Sequence, residues 1–226
     1  MDLFDGINNR IFKNRKSEKE LELEFESVYG VPYGEYTLDA NKNIINSKEY
    51  RNKFYGLTRN HNIDNIICDY ARKAVLENSG TYKESMYLID ANTGDLIASI
   101  EKDEDKIESG VAYTDNFIKN LVYAHENCIP IIAIHNHPIG TPPSLDDISK
   151  IAENHYYIAI VAGTNGQVYR YYNPDNITFP REMCEQVHYD IAQNIGFGYD
   201  VDRAFSEAFE QLNVSYDILG GELYEK

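Results

Sequence analysis

The chain contains no tryptophan and only three cysteines among its 226 residues. Cys68, Cys128 and Cys184 are odd in number and widely separated, so they offer neither a disulfide framework nor a CxxC zinc knuckle. Each is expected to be a small buried hydrophobe. Long hydrophobic runs are missing too, since no stretch approaches the ~18 apolar residues that a membrane span requires. The segment MDLFDGINNRIFKNRKSEKE lacks the apolar core and small-residue cleavage site of a secretory signal, which gives the expectation of a cytoplasmic protein. Positive charge is scarce: 21 Lys and Arg against 37 Asp and Glu leave a formal charge of -16, which repels phosphate backbones. Nucleic acid and membranes are therefore disfavoured as partners, and a protein, peptide or small polar substrate is expected.

What is present suffices for one domain with a sizeable appendage, at ~100 to 200 residues per domain. The 19 Tyr and 9 Phe supply core and interface material. Residues 1–53 read as a polar N-terminal arm and linker. Their basic cluster Arg10, Lys13, Arg15 and Lys16 is a solvated face, EKELELEFESVYG is a marginal helix or docking arm, and the Gly-, Pro- and Asn-rich stretch 30–53 is an irregular connection. Residues 54–179 read as the main domain. Apolar positions at three- and four-residue steps predict a helix over 64–76, and SMYLID and LIASIE flank the turn residues ANTGD as a hairpin. The charged stretch 102–110 is expected to be an exposed loop, and Thr114 to cap a second helix. IPIIAI, 129 to 134, reads as a strand buried on both faces that delivers the chain into HNHP. Ser144 then caps a helix with Asp147 three residues on, and YYIAIVAG and QVYRYY flank a tight turn at Asn165 and Gly166. Residues 180–226 read as a helical C-terminal extension.

The chemistry concentrates in IIAIHNHPIGTPPSLDD. His135 and His137, two apart at a strand end, project to the same side, where both imidazoles can reach one ion, and Asp147 supplies a third ligand type. Two His and one carboxylate with a position left to water is how catalytic zinc is held. On the residues alone, two histidines hydrogen-bonding in a loop is an equal alternative.

His135, Asn136, His137, Pro138, Ser144 and Asp147 together resemble the signature of the JAMM, or MPN-plus, zinc metallopeptidases. The HNHP form is similar to their RadC-like and phage-type JAB branches, and the resemblance covers roughly residues 81–172. It implies an α/β fold of MPN (JAB) type, a curved mixed β-sheet flanked by helices, here with helical N- and C-terminal extensions. It implies zinc on His135, His137 and Asp147, Ser144 as the residue stabilising the tetrahedral intermediate, and an upstream Glu as general acid/base. It also implies cleavage of an amide bond in a protein, often an isopeptide bond to a ubiquitin-like modifier. Nine residues separate His137 from Asp147 where the family usually has ten, which leaves Asp146 as an alternative ligand. For the Glu, Glu84 just before the first strand is the choice, with Glu101, Glu104 and Glu108 as alternatives in or beside the charged loop.

Other readings of the same residues are weaker. The HNH nuclease disperses its three residues over a finger and needs a basic surface, and HExxH and the deaminase PCxxC are absent. His125 is expected at a helix end, and His61, His155 and His188 in surface or packing roles. Two other function classes remain: an MPN-fold scaffold or phage-associated interaction protein, and a RadC-like nucleic-acid-processing accessory factor, which the charge disfavours. Oligomeric state is left open.

Overall fold

The computed structural model describes residues 38–101, 113–210, 212 and 214–220. The N-terminal basic cluster and arm, the charged loop and, with it, Glu104 and Glu108 lie outside the described residues. Those described form an α/β arrangement in which a six-stranded mixed sheet is flanked by helices.

Two short helices come first, α1 (Lys42–Ile45) and α2 (Lys48–Asn52). The sequence reading made this stretch irregular connection. Helices of four and five residues are shorter than any periodicity window, yet Asn41 and Ser47 cap them through their side chains. Ile45 and Tyr50 are fully buried and fix them on the core. Helix α3 (His61–Glu77) starts three residues before the expected Asp64. The reason is that Asn60 caps it, while Asp64, itself fully buried, is spent inside the fold. The Asp64 carboxylate accepts from the Gly56 N–H at 2.9 Å, the Thr58 N–H at 2.8 Å and the Thr58 hydroxyl at 2.7 Å, and so staples the preceding loop.

The hairpin β1 (Met86–Asp90) and β2 (Leu96–Ile100) forms where expected. In its turn the Asn92 N–H donates to the Asp90 carboxylate at 2.7 Å. Gly94 takes φ +81, and a Cβ there would meet Ile66 Cδ1 at 2.5 Å, so both conformation and space demand glycine. Thr114 caps α4 (Asp115–Glu126) by accepting from the Phe117 N–H, and Phe117, Leu121 and Ala124 are its buried face.

Strand β3 (Ile131–His137) is buried along its whole length. It begins two residues later than expected, because Cys128 turns the chain at φ 53 and the Ile129 N–H still bonds back to Ala124 of α4. It also runs on through His137, so both histidines lie at the strand end where their spacing predicts them. Helix α5 (Leu145–Asn154) then crosses to β4 (Tyr156–Gly163), which lies parallel to β3. Strand β5 (Val168–Tyr172) returns antiparallel. The C-terminal residues give helices α6 (Arg181–Gly196) and α7 (Val201–Glu210), and in addition β6 (Ser215–Ile218), antiparallel to β5. The strand order is β2-β1-β3-β4-β5-β6.

Alternation along the central strands divides the core into two layers. Leu88, Ile131, Ala133, Val161 and Tyr169 face α4, α5, α6 and α7, while Ile89, Ile132, Ile134, Ile160 and Val168 face α3 and the short helices. Covering both faces of β3 and β4 explains their unbroken apolar runs. The cysteines divide: Cys68 is buried as expected, Cys184 is half-buried and Cys128 is exposed in its turn. Among the described residues no helix is long and apolar enough to cross a membrane.

Candidate metal centre

The carboxyl end of β3 and the amino end of α5 meet at one place. His135 and His137 lie two apart on the strand, on the same face as Ala133. His135 pairs with Met86 of β1 and Val161 of β4, and His137 pairs with Gly163. Both are buried, at 3% and 8% exposure, and their Nε2 atoms stand 3.2 Å apart. Asp147 reaches them from α5, with Oδ1 3.3 Å from His135 Nε2 and Oδ2 3.4 Å from His137 Nε2. One ligand atom from each of the three lies within 4.8 Å of the others, so the group could hold a metal ion.

Local sequence explains why Asp147 points inward. Ser144 and Asp147 form a capping box at the start of α5. The Ser144 hydroxyl and N–H donate to Asp147 Oδ2 at 2.6 and 2.7 Å, and Ser144 Oγ accepts from the Asp147 N–H at 3.1 Å. The carboxylate is thus oriented by the cap that starts its own helix. Asp146 is exposed and outside the cluster, whereas Asp147 lies within it. The hydroxyl of Ser144, expected to face a substrate, here bonds to the Asp147 carboxylate.

The tautomer of His137 follows from its neighbours. His137 Nδ1 lies 3.0 Å from the Thr141 carbonyl oxygen and 3.1 Å from Thr141 Oγ1. A carbonyl only accepts, so Nδ1 carries the hydrogen and the neutral ring presents its Nε2 lone pair to His135 and Asp147. A backbone partner of this kind is what orients metal-ligating imidazoles. His135 is flanked edge-on by the Tyr171 ring at 6.2 Å, and its buried Nδ1 has no hydrogen-bond partner among the described residues.

Two imidazoles and a carboxylate that face one another are held together by protons or by a cation that replaces them. Burial by itself lowers the pKa of His137, but the hydrogen bond and charge of Asp147, with Glu84 and Thr141, outweigh it and lift the value to about 9. Burial favours the neutral form of Asp147, yet His135 and His137 hold its pKa well below the ordinary carboxylate value. Protons thus occupy, in the metal-free site, the place that an ion would take. The donor set fits a divalent metal of the kind that accepts imidazole and carboxylate together.

Glu84 joins the same electrostatic environment. It is half-buried and stands two residues before Met86. Burial raises its carboxyl pKa; His137 and His135 lower it, and Asp147 raises it. Glu101, by contrast, is bound to Lys73 at 2.8 Å. Of the other histidines, His125 bonds to the Asn154 carbonyl at 2.9 Å and packs edge-on against His155, which closes α5. Two contributors were missed by the sequence reading. Thr141 acts through its backbone carbonyl as well as its hydroxyl, which residue type does not advertise. Asn136, hidden between the histidines, turns to the opposite face of β3. Compared with protein-family models, with curated proteins and with solved structures, the chain matches none.

Proposed function

We propose that this chain is a zinc-dependent hydrolase that cleaves an amide bond in a protein or peptide substrate, in the manner of the JAMM metallopeptidases that its motif resembles. One observation carries the reading: His135, His137 and Asp147 converge their ligand atoms on one point with the Glu84 carboxyl in their field. Zinc in a site of this type polarises a carbonyl and lowers the pKa of coordinated water from ~15.7 toward ~7.

The residues would then divide the work. His135, His137 and Asp147 hold the ion, and Thr141 and Ser144 hold two of those ligands in orientation. Glu84 takes the proton from the attacking water and passes it to the leaving amine nitrogen, so the C–N bond breaks with the amine departing neutral. Burial raises its pKa, a direction that suits a group which must accept a proton as well as return it. Ser144 donates to the carbonyl oxygen as charge grows there, while the backbone N–H at position 144 keeps its hold on Asp147. The net charge of -16 favours a substrate without a polyanionic backbone, and an isopeptide bond to a ubiquitin-like modifier is the first form to assay.

The test pairs metal analysis with hydrolysis. The purified protein is expected to carry about one zinc per chain, and its hydrolysis of modifier-conjugate and peptide amides to disappear with a chelator and return with zinc. His137→Ala should lose the ion, whereas Glu84→Gln should still fill with zinc when the metal is in excess and lose ~10²-fold in turnover. Full hydrolysis by Glu84→Gln would remove Glu84 from the mechanism. Failure of the wild type to bind zinc would end the hydrolase reading, and zinc binding without hydrolysis would point to a scaffold.

A further inference from the structure

The backbone ladder between β1 and β3 has its last registered pair at Met86 and His135. Glu84 lies beyond that point, in a segment without regular strand structure, where strand pairing cannot hold it. A side chain takes over. Asn136, fully buried, projects from β3 to the face opposite the histidines. Its Oδ1 accepts the Ser85 N–H at 2.8 Å, and its Nδ2 donates to the Lys83 carbonyl at 3.1 Å. Because one backbone partner can only donate and the other only accept, the orientation of the amide is determined. Asn136 therefore grips the residues on either side of Glu84.

The grip is itself anchored. Asn78, buried at the end of α3, donates through Nδ2 to Asn136 Oδ1 at 3.2 Å, to Ser85 Oγ at 2.8 Å and to the Ala74 carbonyl at 2.8 Å. The β1 approach, the end of α3 and the metal-bearing strand are thus joined by one buried polar cluster. The two Nδ2 hydrogens are shared among these three acceptors, and Asn78 Oδ1 has no hydrogen-bond partner among the described residues, so the bonds that are made tie the three elements together without satisfying every atom of the cluster.

We propose that Asn136 is a positioning residue that aims the Glu84 carboxylate at the His135, His137 and Asp147 group. It rests on the role given to Glu84 above. Two histidines on one face of β3 hold the ion, and the asparagine between them, on the other face, places the base.

The test is a double-mutant cycle read in zinc affinity above pH 9, where the proton that Glu84 helps to hold on His137 no longer competes with the ion, by competition with a chromophoric chelator on the full chain. A carboxylate aimed at a cation strengthens its binding, so Glu84→Gln should lower affinity on the order of 10-fold, as partners beyond the direct ligands do. Asn136→Ala should lower it by a similar factor, and by little more when Glu84→Gln is already present. Full, independent effects in the double variant would overturn the proposal, showing that Asn136 acts other than through Glu84. So would equal affinities of wild type and Glu84→Gln. A wild type that takes up no zinc overturns the metal reading, and this inference with it. Should Asn136→Ala fail to fold, amide hydrogen exchange on the unaltered protein decides: Ser85 is expected to be protected like Met86 in β1, and exchange at the rate of an open loop would overturn the grip.

Discussion

Metal uptake by this site should release a proton, and the structure says how strongly the two compete. In the metal-free protein the pKa of His137 is lifted to about 9, above the ordinary value of ~6.5. At pH 7 the ring is therefore charged, with one proton on Nδ1 toward Thr141 and the other on Nε2 toward Asp147. An ion that takes the Nε2 lone pair must displace the second proton. Two pH units below the pKa that displacement weakens apparent affinity by about 100-fold, or about 2.7 kcal/mol at 1.36 kcal/mol per unit. Affinity should rise about tenfold per pH unit from 7 to 9 and flatten above. The same proton stabilises the metal-free fold, fully below ~6.5 and progressively less as pH climbs through 9. The melting temperature of the metal-free protein should fall over that window while that of the loaded protein holds. Calorimetric titration with zinc at pH 7, in two buffers of different ionisation enthalpy, counts the protons directly, and close to one per ion is expected. Glu84 is among the groups that raise His137, so Glu84→Gln should move the pH dependence to lower values. Binding without proton release, or an affinity flat between pH 7 and 9, would refute the account of His137 as a site where proton and metal exclude one another.

Two further perturbations probe the scaffold. Ser144→Ala removes the cap of α5 and the 2.6 Å hydroxyl bond to Asp147, and should cost about 1 kcal/mol in denaturant unfolding of the metal-free protein. It should also weaken zinc binding, with the backbone N–H at position 144 still holding part of the orientation. Asp64→Ala strips the acceptor from two backbone N–H groups and the Thr58 hydroxyl, and about 2 to 3 kcal/mol of stability should go with it. Zinc affinity, measured where the variant is folded, should be unchanged, because loop 56–60 has no part in the metal group. A large loss of affinity would show that the loop and the site are coupled.

The sequence by itself determined the elements whose pattern is strong and local. Alternation and turn chemistry marked the hairpin of β1 and β2, apolar steps marked α3, and Thr114 and Ser144 marked the starts of α4 and α5 within a residue. The candidate ligands were legible for the same reason, since the two-residue spacing of His135 and His137 and the three-residue spacing of Ser144 and Asp147 are periods of a strand and of a helix cap. Elements shorter than a period stayed hidden: α1, α2 and β6 are four or five residues long and exist through caps and the surfaces they cover. The tertiary structure separates Asp147, which joins the histidines, from exposed Asp146, because burial and not residue type distinguishes them. It also put Glu84 in the electrostatic field of the histidines 51 and 53 positions away. And it gave Asn136 and Thr141 their partners, since hydrogen bonds to backbone groups distant in the chain, or set by the bend of a loop, leave no periodic trace in the sequence.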